Sequence, residues 1–399
     1  MYSQNPPIYL DNNATTALDP AVLQAMMPYL THAYGNAASK SHPFGWEASQ
    51  AVQRARTLIA TAINAVSPAD IIFTSGATES INLAILGLQY QGNWGHIITS
   101  MIEHKSVLDC CAKLADSGVS VTYLQPQRDG IVSLDTLFQA IRPDTRLVSI
   151  MTANNETGTL QKVAEIGALC RDKGILFHTD ATQAFGKIAL DMQRMNISMA
   201  TFSAHKVYGP MGVGALYVNT ADPHLMLSPL IVGGGHERGL RSGTLNVPGI
   251  VGFGRAAELA MENMSVESAR LCDLRNRLRQ HILDTVPNVQ VNGHLTECLP
   301  GVLNVSFEGI DADSLLLELS DVALSSGSAC TSDQQIPSHV LQALGASDEQ
   351  IRGSVRFGLG RFNNESEIDY VCQRLENTVK TLRSMAPLSS ATTTNETGV

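Results

Sequence analysis

The run Lys162-Val163-Ala164-Glu165-Ile166-Gly167-Ala168-Leu169-Cys170-Arg171-Asp172-Lys173-Gly174-Ile175-Leu176-Phe177-His178-Thr179-Asp180-Ala181-Thr182-Gln183 decides the fold. Its first half places apolar residues at helical spacing, and Gly174 ends the helix. Ile175-Leu176-Phe177 then reads as a short buried strand, and a polar string follows it. The same unit recurs between about residues 70 and 220. Strands are expected at Ile71-Ile72-Phe73, His96-Ile97-Ile98, Arg146 to Met151, Met199 to Phe202 and Val213 to Val218, with helices over Glu79 to Leu88 and Ser106 to Ser117. Alternating strands and helices of this kind make an α/β architecture with a mainly parallel sheet.

After Gly249 a long helical pattern runs through Leu271, Leu274, Leu278 and Ile282 and stops near Pro287. A domain boundary is expected near residue 262. The remainder offers strands at Val289 to Val291, Val302 to Phe307 and Val322 to Leu324, and helices around Asp313 to Leu319 and Glu367 to Ser384, which describes a smaller α+β domain. The expected division is a large domain over 17–262, a small domain made of 1–16 and 263–387, and a disordered tail over 388–399, where Ser and Thr replace apolar residues.

With 399 residues, 44% hydrophobic and 16% charged, the chain is long and apolar enough for a sizeable core. The balance of 27 Lys+Arg against 37 Asp+Glu gives a net charge of −10, which argues against nucleic acid and anionic lipid as partners. No apolar run approaches the roughly 18 residues of a membrane span, and the opening Met-Tyr-Ser-Gln-Asn-Pro-Pro has no signal-peptide pattern. Seven cysteines with no CxxC pair fit reduced thiols rather than a disulfide framework or a zinc site. A cytoplasmic protein is expected.

Chemistry collects just after the strands. The strings are Thr74-Ser75-Gly76-Ala77-Thr78-Glu79, Glu103-His104-Lys105, Asn154-Asn155-Glu156-Thr157-Gly158, His178 to Gln183, and Ser203-Ala204-His205-Lys206. The carboxyl ends of parallel strands line one crevice, so residues far apart in sequence converge there. The first string suits an anion such as phosphate at a helix start, with plain N-capping by Ser75 or Thr78 as the competing reading. Asp180 at the inner end of a strand needs a cationic partner, unless it is a capping carboxylate. Lys206, beside the Gly-rich Tyr208 to Gly214 connection, is either a desolvated amine nucleophile or an ordinary surface lysine. A phosphate site, an Asp for a protonated pyridine nitrogen and a Schiff-base Lys are together what a pyridoxal-phosphate site requires. His104 would add an aromatic face, with Asn155 and Gln183 as hydrogen-bond partners. Arg356, alternating with apolar neighbours, could take a substrate carboxylate or sit in a buried ion pair; Arg361 and the Gly233 to Arg238 and Arg241 to Thr244 strings are further anion-binding candidates.

Cys110, Cys111, Cys170, Cys272 and Cys372 fall in helical patterns as small hydrophobes, and Cys298 reads as an inert loop thiol. Cys330 differs. Its surroundings, Ser325-Ser326-Gly327-Ser328-Ala329-Cys330-Thr331-Ser332-Asp333, neither build a stable element nor bury a thiol well, so an exposed nucleophile is expected.

Together with Tyr9-Leu10-Asp11-Asn12-Asn13-Ala14-Thr15-Thr16, Gly235-His236-Glu237-Arg238-Gly239 and Arg241 to Thr244, these strings resemble the cysteine desulfurases of the NifS/IscS type. These enzymes are class V members of the fold-type I pyridoxal-phosphate transferases. The resemblance covers nearly the whole chain, and Ser-Ser-Gly-Ser-Ala-Cys-Thr is its most specific element. It implies a large domain with a mainly parallel sheet flanked by helices plus a smaller α+β domain.

The resemblance also implies site roles. Lys206 would be the covalent anchor of pyridoxal 5'-phosphate, Asp180 the partner of its ring nitrogen, His104 the residue stacked on the ring and Gln183 the contact to its phenolic oxygen. Ala77, Thr78, Ser203, His205 and a Thr244 from the second subunit of a homodimer would hold the phosphate. Asn155 and Arg356 would hold the carboxylate of L-cysteine. Cys330 would take the sulfur as a persulfide, leaving L-alanine, and pass it to an iron–sulfur scaffold or another acceptor, serving as a cluster ligand only during transfer. No resident catalytic metal is expected. One departure is Ala204, at a place where the family commonly has Gly. Competing readings are a selenocysteine lyase or class V aminotransferase, an idle sulfur carrier, and a nucleotide-binding α/β protein; the last lacks its Walker and GxGxxG signals.

Overall fold

The computed structural model describes residues 7–88, 95–326 and 337–385. Cys330 and the expected tail over 388–399 lie outside the described residues.

A seven-stranded sheet runs in the order Ile71–Thr74, Gly214–Val218, Met199–Ser203, Leu176–Asp180, Thr145–Ser149, His96–Ser100 and Ser120–Leu124. Only Gly214–Val218 opposes the rest, pairing antiparallel with both neighbours. The other strands share one direction, so the polar strings all leave the same edge. Side chains alternate between faces as a period of two requires. Ile72, Ile97, Leu147, Met199 and Leu216 pack with the helices Ala77–Leu86 and Lys105–Asp116. Phe73, Ile98, Val148, Ala200 and Ala215 face the other way, into a larger core with Pro43–Ala62 and Val163–Lys173. Both faces are therefore dry, which explains why these strands read as continuous apolar runs.

Ser120–Leu124 was not expected from the sequence. It is the edge strand, and only its last residue is buried. The helices Pro20–Thr31 and Pro43–Ala62 also went unread, although each begins with a proline behind a capping residue, Asp19 and His42.

The second core is built on a four-stranded antiparallel sheet in the order Ser325–Ser326, Ser354–Gly358, Val302–Phe307 and Val289–Val291. The helix Glu365–Met385 and the chain start cover it, and Leu10 is fully buried there. One helix of 39 residues, Val247–Thr285, serves both cores: Ala256, Ala257 and Ala260 pack in the first, Leu271, Leu274 and Leu278 in the second. Residue 262 falls inside this helix. Among the described residues no helix is long and apolar enough to cross a membrane.

Candidate active site

A cavity of about 900 Å³ opens at the carboxyl edge of the large sheet, where residues from four of the polar strings meet the chain start and the second core. The fifth string contributes His104, which caps the helix Lys105–Asp116 by accepting from the Ser106 N–H at 3.2 Å.

Lys206 follows the strand Met199–Ser203 in a single tight turn, Ala204–Lys206. Its Nζ donates to the carbonyl oxygens of Asn13 at 2.6 Å and Ala14 at 2.5 Å. Burial, aided by the positive charge of Arg356, pulls this amine down to about 8; Asp11 and Asp180 oppose that shift. The surface-lysine reading therefore fails, and about a tenth of the amine is neutral at pH 7.

Asp180 ends the strand Leu176–Asp180 and is 7% exposed. Its Oδ1 accepts from the Thr182 N–H at 2.9 Å, and among the described residues it forms no ion pair. Beside it, the hydroxyl of Thr182 lines the cavity with no hydrogen-bond partner among the described residues. Behind it, His178 bridges Ser149 and Thr201 at 2.8 and 3.1 Å, and burial drives its imidazole down to about 4.

The helix Ala77–Leu86 begins at Gly76 with no side-chain cap, so neither Ser75 nor Thr78 performs the capping that the sequence left open. The Ser75 N–H instead donates to Glu79 at 2.7 Å, and Glu79 is braced by Arg241 at 2.9 Å. Uncapped N–H groups at Ala77 and Thr78 thus face the cavity together with Ser203 and His205. His205 contacts Thr15 Oγ1 at 3.0 Å and is held neutral, down to about 4, by burial and the nearby Lys206 and Lys187.

Gln183 lines the wall and donates to the Asn13 carbonyl at 2.9 Å. Asn155 accepts through its carbonyl from Asn13 at 3.3 Å and from Arg356 at 3.1 Å. Arg356 lines the cavity and pairs with Asp11 at 2.8 Å, as the ion-pair reading expects, while its buried Nε has no partner among the described residues. Thr244 is exposed and outside the cavity wall of this single chain. Arg361, expected as an anion-binding candidate, is committed elsewhere: Asp19 and Glu267 each hold it at 2.8 Å. Glu237 likewise is structural, clamping Arg56 at 2.7 Å and accepting from the Phe73 N–H at 2.7 Å. Burial raises the Cys110, Cys111 and Cys170 thiols to about 11, 12 and 12, and raises Cys298 as well, in keeping with inert roles.

Sequence reasoning gave no role to Asp11, Asn13 or Ala14, although the motif Tyr9 to Thr16 was visible. Nothing in that motif says that its carbonyls hold a lysine nearly 200 residues away; only the fold does. The set fits pyridoxal phosphate by its chemistry: an uncapped helix start, a lowered lysine amine and, among the described residues, a carboxylate without an ion pair and a hydroxyl without a hydrogen-bond partner share one cavity.

Comparison with known proteins agrees. Residues 8–371 match the family Aminotransferase class-V. The chain is 51% identical over 384 residues to "Cysteine desulfurase IscS" of Anaeromyxobacter dehalogenans, covering 96% of this chain and 95% of that one. It is 52% identical over 388 residues to "Cysteine desulfurase, mitochondrial" of Arthroderma benhamiae, covering 96% and 76%. Among solved structures, one titled "NIFS-LIKE PROTEIN" superposes with a TM-score of 0.87 at 37% identity, over 94% of this chain and all of that one. The chain belongs to the class-V aminotransferase family and, within it, to the pyridoxal-phosphate-dependent cysteine desulfurases.

Proposed function

We propose that this chain removes sulfur from L-cysteine with the residues gathered in the cavity, and that Cys330 receives it. The observation carrying these assignments is the amine of Lys206, lowered to about 8, in the same cavity as Asp180 and the uncapped start of Ala77–Leu86. When bound, pyridoxal phosphate supplies an electrophilic aldehyde and an electron sink for charge left at the substrate Cα. Lys206 anchors it and afterwards carries the Cα proton, because a lysine of lowered basicity can both accept and return one near neutral pH. Asp180 would keep a proton on the ring nitrogen and so stabilise the electron sink. His104 and Gln183, both in the cavity wall, would hold the ring, His104 against its face and Gln183 as a donor to its phenolic oxygen. Ala77, Thr78, Ser203 and His205 hold the phosphate, and Asn155 and Arg356 orient the cysteine carboxylate.

The Cys330 thiolate attacks the substrate sulfur. An S–S bond forms as the C–S bond breaks, the electron pair passes to the substrate carbon, and protonation there gives L-alanine, so the sulfur count balances as a persulfide on Cys330. A free thiol with a pKa of about 8.5 is only a few per cent ionised at neutral pH, so the attack requires transfer of its proton during the cycle.

Thr244 is assigned to the phosphate site of a second copy of the chain. An apolar, exposed face supports a homodimer: Leu23, Met27 and Leu30 lie along one side of Pro20–Thr31, and the rings of Tyr34 and Phe44 approach to 5.6 Å nearby. The two cores are assigned as the domains 17–262 and 1–16 with 263–387. The sulfur acceptor is an iron–sulfur scaffold or another thiol protein, and the compartment is the cytoplasm, in keeping with the free thiols of the described cysteines.

The test is an absorbance spectrum of the purified protein before and after L-cysteine, read with alanine and sulfide yields. A colour that changes on addition, with equimolar alanine and transferable sulfur, is expected. A colourless protein that takes up no pyridoxal phosphate, or a 2-oxo acid as product, overturns the reading.

A further inference from the structure

Two places after Lys206 the backbone takes an unusual shape. Tyr208 sits at φ +64°, in the left-handed region that a bulky side chain rarely adopts, although a glycine stands next to it. Glycine would take that conformation without strain, so the strain is the consequence of having a tyrosine there. Such a residue persists where its surroundings over-determine it, and every polar group of Tyr208 is engaged. Its N–H donates to Thr16 Oγ1 at 2.8 Å, and its carbonyl accepts from the Asp19 N–H at 3.0 Å. Its hydroxyl accepts from the Arg361 N–H at 2.5 Å.

The buried ring packs under the same arginine. The Arg361 guanidinium lies over its face, 4.2 Å from the centroid, and Phe362 meets it in a T-shaped contact at 5.7 Å. Arg361 itself spans Asp19 and Glu267, each at 2.8 Å, and its carbonyl accepts from Arg270 at 2.8 Å. Glu267 and Arg270 both lie on the helix Val247–Thr285.

The location of this clamp gives it a role. Tyr208 follows the turn Ala204–Lys206 at the exit of a large-sheet strand. Arg361 follows Ser354–Gly358, the strand of the four-stranded sheet that carries Arg356. Lys206 and Arg356 both line the cavity, so one sheet supplies the amine and the other the guanidinium. The chain start spans the same gap: the Asn12 N–H donates to the Gly358 carbonyl at 3.0 Å, and the Thr16 N–H to the His205 carbonyl at 2.9 Å. That route runs through residues 12–16, outside any helix or strand, whereas Tyr208 and Arg361 touch directly. We infer that Tyr208 and Arg361 are positioning residues of this active site, and that their contact sets the spacing between Lys206 and Arg356.

The spacing is felt at the Lys206 amine. Burial and then the charge of Arg356 lower it, while Asp11 and Asp180 oppose; His205, held neutral, and Lys187 lie alongside. A looser clamp relaxes the two largest of these influences, and the amine then holds its proton more tightly.

The inference rests on the assignment of Lys206 to the cofactor and Arg356 to the substrate carboxylate, and two measurements keep it apart from them. The first uses full-length protein freed of cofactor, labelled with a trace acylating reagent across a pH series and read by peptide mass. Tyr208→Phe removes the hydroxyl acceptor and changes no charge. It is expected to raise the Lys206 midpoint by about half a pH unit, roughly threefold slower labelling on the acid side. In the second, the visible band of the loaded protein is titrated with L-alanine and with ethylamine, the same amine without its carboxylate. Tyr208→Phe should weaken L-alanine about tenfold and ethylamine by about twofold or less, because only the first ligand must reach both cofactor and Arg356. Tyr208→Gly relieves the backbone strain but removes the ring, and it should weaken L-alanine further. An unmoved midpoint overturns the inference, as does equal weakening of both ligands or parent-like L-alanine binding in either variant. Should Tyr208→Gly fail to fold, Tyr208→Phe decides alone. If the parent protein takes up no pyridoxal phosphate the cofactor assignment falls, while the midpoint still decides whether the clamp acts on Lys206.

Discussion

Arg356 and Asp11 meet at 2.8 Å across 345 positions of sequence, and the same guanidinium reaches the Asn155 carbonyl at 3.1 Å. The chain start, the large sheet and the small sheet are tied together there, at the wall of the cavity. Arg356→Gln removes the charge while keeping a polar side chain. It should raise KM for L-cysteine by about tenfold or more, the worth of a charged hydrogen bond, with a smaller change in kcat. Steady-state kinetics decide it; an unaltered KM removes Arg356 from the substrate site. Asp11 holds the Lys206 proton on, so Asp11→Asn should lower the Lys206 midpoint below about 8 in an amine-labelling titration.

Cys330→Ala should leave the visible spectrum and its response to L-cysteine intact while abolishing alanine and sulfide release. Turnover at the parent rate would move the sulfur-accepting role to another residue. Lys206→Ala should stop turnover altogether.

Acid should weaken the fold through His178 and His205. Both imidazoles stay neutral in the folded chain down to about pH 4, whereas the unfolded chain protonates them near pH 6.5. Between those values the unfolded state binds more protons, so stability is lost as pH falls from about 6.5 to about 4. His178→Gln should remove about 3 kcal/mol of that pH dependence. Urea midpoints of parent and variant at pH 7 and pH 4.5 measure it; parallel curves would refute the neutral His178.

Glu237 and Arg56 form a buried pair at 2.7 Å, with side chains 2% and 9% exposed, and Glu237 also holds the Phe73 N–H. Glu237→Gln should cost about 3–5 kcal/mol because a buried guanidinium loses its counter-charge. A urea midpoint within error of the parent would count against it.

Gly214 allows the one antiparallel strand of the large sheet to press on the turn before Ala77–Leu86: a Cβ there would stand 2.7 Å from Gly76 Cα and 2.6 Å from the Phe202 carbonyl. Gly214→Ala should push back the start of Ala77–Leu86 and weaken retention of pyridoxal phosphate, seen as a lower cofactor content after dialysis. Parent-like retention would show that the turn yields without consequence.

The strands of the large sheet were legible because burial on both faces leaves uninterrupted apolar runs such as Ile71 to Phe73 and Ile97-Ile98. The edge strand Ser120–Leu124 was not, since its partly solvated faces dilute that pattern. The polar strings pointed to one cavity because strand direction brings them to one edge, and four of the five supply residues from several positions. The roles of Asn13 and Ala14 were hidden for a different reason: they act through backbone carbonyls, which every residue type possesses. Arg361 misled because a glycine-flanked arginine looks the same in sequence whether it meets a phosphate or, as here, two carboxylates.

The helix Val247–Thr285, about 58 Å long at the usual rise, is common property of both hydrophobic interiors. Neither interior can melt alone without stripping one end of this rod of its packing. Calorimetry on this protein should therefore record one joint thermal event rather than two, and a nick in the middle of the rod should harm both halves at once.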